Sequence, residues 1–352
     1  MLHGGAVFRE AERLGVSYRD LLDFSANLNP FGCPLSVRKA MEESLLRAAY
    51  YPDAGQDALR KAIGQKEQVP MEWVYAGNGA AELIFRLCYA IRPETVLVCA
   101  PSFLEYEKAV RAANGKLLRF FLQPQQQFDL KEAYLAQLQL LKSGDMAFLC
   151  NPNNPTGRLI SAELLLKIVK QSERKGVVLV VDECFLDFTE NELSASVKQY
   201  LGSCRRLVVL KSFTKMYSLA GIRIGYLLTA DAGLIRRLRA CGQDWGISCV
   251  AQAAGIAACR EEGYAARTAA ALVPLRKELF NGLKEKGFRV VDGQANYLLF
   301  QSRRQDLESM IPKQHILIRS CANYPGLGHS WYRTAVRTGS ENRRLLDALG
   351  EE

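Results

Sequence analysis

LKSFTKMYSLAGIRIG, residues Leu210–Gly225, closes an apolar run from Arg206 to Leu210 that has the pattern of a buried strand. Behind it come two hydroxyls (Ser212, Thr214), a lysine (Lys215), a small-residue turn (Ala220, Gly221) and an arginine (Arg223). A lysine in a desolvated, partly cationic pocket has its pKa lowered and can act as an amine nucleophile. Hydroxyls just before it, and an arginine after it, suit a phosphate monoester. The small molecule that asks for both an amine and a phosphate clamp is pyridoxal phosphate. An isolated S-x-T-K would equally be a strand edge with a solvated lysine. The whole string is far more specific, and it makes Lys215 the anchor.

Working outward, strands are predicted at Thr95–Cys99, Lys116–Phe120, Met146–Cys150, Val177–Val181, Arg206–Leu210 and Ile224–Leu228, separated by helical patterns. Strands this continuously apolar imply an α/β fold with a mostly parallel sheet covered on both faces. Ligands in such sheets gather at the carboxyl ends of the strands. Pro101-Ser102-Phe103, the NPNNPTG segment (Asn151–Gly157), Asp182-Glu183 and Lys215 all stand there. Asp182 ends a buried strand, so its carboxylate needs a partner. A protonated pyridine nitrogen is that partner in a pyridoxal-phosphate enzyme; a helix N-cap is the plainer reading. Asn154 is either turn chemistry or a donor to the ring O3′, and Phe103 is either core or a stacking face.

Upstream, a short strand at Trp73–Ala76 leads into Gly77-Asn78-Gly79-Ala80-Ala81 and a helix over Glu82–Ile91. A glycine-rich turn at a helix N-terminus is an anion site. Glu82 replaces the third glycine of a dinucleotide fingerprint and no acidic residue ends the next strand, so a single phosphate fits better. Nearer the N-terminus, DFSANLNPFGCP (Asp23–Pro34) is full of breakers and predicts neither helix nor strand. It reads as an arm or an active-site loop; His3-Gly4-Gly5 reads either the same way, with backbone able to approach a ligand closely, or as a frayed terminus. A helix over Gln56–Gln65 follows the break at Tyr50-Tyr51-Pro52-Asp53. Beyond the anchor, a long helical region (Gly246–Lys286) precedes strands at Val290-Val291 and Ala295–Phe300, then Arg319–Arg337 with its three arginines. The expected partition is an N-terminal arm that joins the small domain (1–40), a large cofactor domain (41–245) and a smaller α+β domain (246–352).

The 352 residues, 49% hydrophobic and 24% charged, are ordinary for a globular enzyme. No apolar run approaches a membrane span and the start lacks a secretory h-region, so the expectation is cytoplasm and no membrane. Ten cysteines form no C-x-x-C pair, and three histidines are too scattered for a zinc pattern. Reduced core thiols and no metal are expected. The net charge of +9 comes from short basic clusters without a nucleic-acid motif. Solvated helix faces explain them, so nucleic acid is not expected as a partner, and anionic small ligands are.

The strings AGNGAAE, PSF, NPNNPTG, VVDE and SFTKMYSLAGIRIG occur in an order that resembles fold-type I pyridoxal-phosphate enzymes of the aspartate aminotransferase superfamily, near histidinol-phosphate aminotransferase. HGG at 3–5, DFSANLNPFG at 23–32 and IRSCANYPGLG at 318–328 resemble the threonine-phosphate decarboxylase family of cobalamin biosynthesis. That resemblance implies roles residue by residue. Lys215 would carry the cofactor, Asp182 would pair with its ring nitrogen, Asn154 would hold O3′ and Phe103 would stack. Asn78, Gly79 and Ala80, with Ser212, Thr214 and Arg223, would hold the cofactor phosphate. Tyr51 would reach it from a partner subunit, which implies a homodimer. Arg333 would clamp the substrate carboxylate, while Arg319, His3 and Asn27 would take the substrate phosphate, with Asn154 also near the substrate.

Two departures stand out. Phe185 occupies the position where aminotransferase relatives usually carry tyrosine, as in the decarboxylase group. Ala80-Ala81 replaces an acidic residue and a hydroxyl. The expected reaction is decarboxylation of threonine phosphate, or of serine phosphate. A histidinol-phosphate-type aminotransferase is the first alternative, and a non-catalytic cofactor-binding regulator the second; the latter would need a DNA-binding domain for which the chain leaves no room.

Overall fold

The computed structural model describes residues 4–190, 192–304 and 306–352. The strands in chain order are β1 (Leu22–Asp23), β2 (Val74–Gly77), β3 (Thr95–Ala100), β4 (Lys116–Phe121), β5 (Met146–Cys150), β6 (Val178–Asp182), β7 (Leu207–Ser212), β8 (Gly225–Leu228), β9 (Arg289–Val290), β10 (Tyr297–Gln301), β11 (Ile316–Leu317), β12 (Arg319–Ser320) and β13 (Trp331–Ala335).

Seven of them form the central sheet, in the order β2-β8-β7-β6-β5-β3-β4. All pairs from β7 to β4 are parallel, whereas β8 runs antiparallel to both β2 and β7. Strands β5, β6 and β7 are buried along their whole length, as expected for strands covered on both faces. The pairing register does the positioning. Cys150 lies opposite Asp182, and Asp182 opposite Leu210, so the carboxyl ends of β5, β6 and β7 open onto one cleft. Gly225 pairs with Ser212 on one side and with Gly77 on the other. The antiparallel β8 therefore brings the end of β2, and the helix that follows it, to the same cleft.

A second, antiparallel sheet has the order β12-β13-β10-β9, and Arg333 of β13 lies opposite both Leu299 and Arg319. Strand β1 pairs in parallel with β11, and the Ala335 N–H donates to the Phe24 carbonyl. The breaker-rich segment thus contributes one short strand at its start, against the expectation of none, and that strand ties Ser25 and Asn27 to the second sheet. The expected single helical region at 246–286 is two helices, Cys249–Cys259 and Tyr264–Glu285. The break falls at Gly263, whose φ of +66° is cheap for glycine alone. The helix Cys249–Cys259 packs on Leu35–Ser44 and Asp57–Glu67.

All ten cysteines are free. Among the described residues no cluster of potential metal ligands occurs, and no helix is long and apolar enough to cross a membrane.

Candidate active site

The cleft at the carboxyl ends of β5, β6 and β7 has a volume of about 290 Å³ and includes Asn27, Asn154, Asp182, Lys215, Arg223 and Arg333 in its lining. Phe103, Ser212, Thr214 and Ala80 also line it. Residues scattered over more than three hundred positions of sequence are thereby brought together.

Lys215 sits in a four-residue helix capped by the Ser212 side chain, which accepts the Thr214 N–H. Its Nζ has no hydrogen-bond or ion-pair partner among the described residues and lies 5.8 Å from the Phe185 ring centre. Burial, with the cationic Arg333 and Arg223 adding to it, lowers the amine to about 8. That leaves a substantial neutral fraction near neutrality, which a nucleophilic lysine requires.

Asp182 is buried, and its carboxylate accepts from the Tyr106 hydroxyl at 2.6 Å and the Cys184 N–H at 3.0 Å, with the Cys184 thiol also bonding it. Burial pushes its pKa up, against those hydrogen bonds and the nearby Lys215. Asn154 Oδ1 accepts from Arg333 at 2.6 Å, so its amide NH₂ turns away from the guanidinium. The second Arg333 amine donates to the Ser25 carbonyl at 2.7 Å. Two buried groups here have no hydrogen-bond partner among the described residues, Arg333 Nε and Asn27 Oδ1. Buried polar groups are nearly always satisfied, so this pair marks a place built for a polar ligand.

The helix after β2 begins at Gly79, three residues earlier than expected, because the glycine-rich turn is itself its first turn. Ser212 and Thr214 hydroxyls lie 2.7 Å apart. Arg223 donates to the Ala220 carbonyl at 3.0 Å, and its guanidinium covers the helix start: a Cβ on Gly79 would come 2.7 Å from Nη2. A Cβ on Gly225 would meet the Ala80 nitrogen at 2.8 Å, so glycine there lets the helix start lie on the sheet. Helix-start amides, two hydroxyls and a guanidinium make a cradle for a dianion. One expected member is withdrawn: the exposed Asn78 gives its N–H to the Glu82 carboxylate at 3.3 Å.

Pyridoxal phosphate fits these residues. An amine, a buried carboxylate and a phosphate cradle that any side chain at Gly79 would invade correspond to its aldehyde, ring nitrogen and phosphate.

Arg319 lies apart, in a small neighbouring pocket that shares Gly4 and Ser25 with the main cleft. It is buried, bonds Asn323 at 2.8 Å and lies over the Tyr324 ring. Tyr51 is exposed and leans on Trp245, ring centres 4.7 Å apart. His3 lies outside the described residues. Sequence reasoning missed Tyr106, whose one signal is its place three residues after Phe103. It missed Ser25 as well, whose backbone supports Arg333.

Residues 19–349 match the family described as aminotransferase class I and II. The chain is 36% identical to threonine-phosphate decarboxylase from Salmonella typhimurium, across 99% of this chain and 95% of that one. It is 31% identical to a histidinol-phosphate aminotransferase from Desulfitobacterium hafniense, across 95% and 92%. Among solved structures, histidinol-phosphate aminotransferase from Clostridium acetobutylicum superposes with a TM-score of 0.86 at 28% identity, covering 94% of this chain and 98% of that one.

Proposed function

We propose that this chain, which belongs to the aminotransferase class I and II family, is a pyridoxal-phosphate-dependent carboxy-lyase. Its substrate in this reading is L-threonine O-3-phosphate and its product (R)-1-amino-2-propanol O-2-phosphate, the linker of the cobalamin nucleotide loop. One observation carries the reading. Arg319 and Arg333 are cross-strand partners on β12 and β13, and both are buried, 4% and 6% exposed. Two buried arginines on adjacent strands, one lining the main cleft and the other the small pocket beside it, suit a ligand with two anionic groups, such as a carboxylate and a phosphate. Histidinol phosphate itself has a phosphate and no carboxylate, so in the aminotransferase reading the second arginine would serve only the amino-acid or keto-acid partner.

When bound, the cofactor supplies an electron sink for negative charge at the substrate Cα. Lys215 would hold it covalently, Asp182 at the ring nitrogen, Asn154 at O3′ and Phe103 at the ring face. Ser212, Thr214, Arg223 and the Gly79 and Ala80 amides would hold its phosphate. Arg333 binds the substrate carboxylate through its unpartnered Nε, while Arg319, with Asn27 beside the cleft, takes the phosphate. Anchors at both ends fix rotation about Cα and set the carboxylate, rather than the hydrogen, as the leaving group. Positioning of this kind can supply up to about 7–11 kcal/mol. The substrate amine would replace Lys215 in that covalent link, which frees the lysine; once CO₂ has left with the carboxylate carbon, the protonated Lys215 amine would return a proton to Cα. Serine phosphate differs from threonine phosphate by one methyl, worth only about 1–3 kcal/mol, so the same clamp would admit it as a second substrate.

The enzyme is a cytoplasmic homodimer in this reading. Leu46, Tyr50 and Tyr51 are 86%, 75% and 81% exposed, an apolar cluster that a second copy would cover, with Tyr51 reaching the partner's phosphate cradle. Light scattering should give twice the 39.3 kDa chain mass, and Tyr51→Ala should weaken cofactor binding; a monomer with full cofactor affinity contradicts this.

Phosphorus NMR tests the reaction. Threonine phosphate alone should yield aminopropanol phosphate. Consumption of histidinol phosphate, dependent on an added keto acid, would favour the aminotransferase reading instead.

A further inference from the structure

We infer that Tyr106 is the positioning residue for Asp182: its hydroxyl keeps the carboxylate ionised and oriented, and thereby sets how tightly the chain takes up its cofactor. The inference rests on the cofactor assignment and is independent of which bond at Cα breaks.

Tyr106 is 1% exposed and belongs to the helix Glu105–Ala112. Its ring lies flat on Phe148, centres 4.8 Å apart at 10°, and meets the Phe103 ring edge-on at 5.6 Å. Packing of that kind needs only a phenyl ring. The hydroxyl is an added polar group in the core, costly unless bonded, and it bonds Asp182 Oδ2 at 2.6 Å. That distance is in the range of a charge-assisted O–H···O⁻ bond, about 2.5–2.7 Å. The other oxygen, Oδ1, is held by the Cys184 N–H, so the plane of the carboxylate is fixed at both oxygens.

The groups that act on Asp182 come from every strand end around it: Cys150 from β5, Cys184 beyond β6, Lys215 beyond β7 and Tyr297 from β10. Burial works to neutralise the carboxyl, and Cys184, Tyr106 and Lys215 oppose it. Burial and the Asp182 charge push the Tyr106 phenol well up, so it stays a donor throughout the working range. Because Tyr106 also backs Phe103, one side chain couples the proposed partner of the ring nitrogen to the proposed stacking face.

The test is equilibrium titration of cofactor-free protein with pyridoxal phosphate, followed by absorbance across the acidic and neutral range, for wild type, Tyr106→Phe and Phe148→Leu. Only an ionised Asp182 pairs with a protonated ring nitrogen, so affinity falls as acid protonates the carboxyl. Removing the donor raises the carboxyl pKa. Tyr106→Phe is expected to weaken binding about tenfold or more, and to move the acid limb of the affinity profile to higher pH. Phe148→Leu, which disturbs the packing but keeps the hydroxyl, is expected to lower unfolding stability and leave that limb in place. An acid limb in Tyr106→Phe that coincides with wild type overturns the proposal. A wild type that takes up no pyridoxal phosphate overturns the cofactor assignment, and this inference with it.

Discussion

The Arg333 guanidinium donates to Asn154 Oδ1 at 2.6 Å, so the residue assigned to the substrate carboxylate also fixes the amide assigned to the cofactor ring. Arg333→Gln should therefore act on both. Loss of one partner from a buried charged contact costs about 2–5 kcal/mol, which corresponds to a fall in kcat/KM of roughly thirtyfold or more. The visible spectrum of the bound cofactor should shift as well, because Asn154 loses its orienting partner. Steady-state kinetics with absorbance spectroscopy checks both; a change in KM with an unaltered spectrum would separate the two roles.

Gly79 and Arg223 give a second test. Alanine at 79 would adopt a φ of +82° and place its Cβ 2.7 Å from the guanidinium. Backbone strain of this kind costs about 1–3 kcal/mol, and the displaced arginine would leave the phosphate cradle. Gly79→Ala should fold, yet bind pyridoxal phosphate at least about tenfold more weakly. Titration with pyridoxal, which lacks the phosphate, should show a much smaller difference between variant and wild type.

Attachment of the cofactor should depend on pH through Lys215. Its amine is lowered to about 8 by burial, then by Arg333 and Arg223, and only the neutral form attacks. The rate of cofactor attachment to cofactor-free protein should rise with pH and level off above about 8. Arg333→Gln removes a positive charge, raises the lysine and should move the inflection upward. Stopped-flow absorbance resolves this, and an unshifted inflection would contradict the assignment of Arg333 as a neighbouring charge.

Beneath the cleft, Glu67 is ion-paired with Lys198 at 2.9 Å and Lys211 at 3.5 Å, and Lys211 also pairs with Asp187 at 3.1 Å. Burial opposes ionisation of Glu67, but Lys211 and Lys198 hold it down at about 2. A depressed carboxyl contributes stability that is present above its unfolded value of 4.5 and lost as pH falls toward 2. Glu183 has the opposite sign, since burial raises it to about 7. Its protonated form stabilises below 4.5, and that contribution is lost as pH rises through 7. Glu67→Gln should cost about 3–5 kcal/mol near neutrality. Glu183→Gln should flatten the stability profile between these two values and be the more stable protein in mild alkali, by on the order of 1–3 kcal/mol. Urea unfolding as a function of pH measures both.

Much of this was legible in the chain because strand burial leaves a strong mark. The apolar run Met146–Cys150 is a strand with those same bounds, and the residues at the strand ends share one cleft because parallel strands align their carboxyl termini. What stayed hidden depends on contacts between distant segments. The pairing of Leu22–Asp23 with Ile316–Leu317 is two residues long and spans nearly the whole chain, so no periodicity announces it. The Glu82 carboxylate over Asn78 reads in sequence as an ordinary first-turn acid. Glu67, at the end of an amphipathic helix, gives no sign that Lys211 will meet it in the core. Tyr106 looks like any aromatic of a helix face until β6 places Asp182 within reach of its hydroxyl.

In the proposed reaction Arg319 and Arg333 together direct loss of the carboxylate. The most direct measurement is CO₂ released from threonine phosphate by the cofactor-loaded enzyme with no keto acid present. Many equivalents of CO₂ per active site are expected while the cofactor remains pyridoxal phosphate. Release of no CO₂, with one equivalent of substrate consumed and the cofactor recovered as pyridoxamine phosphate, would contradict it.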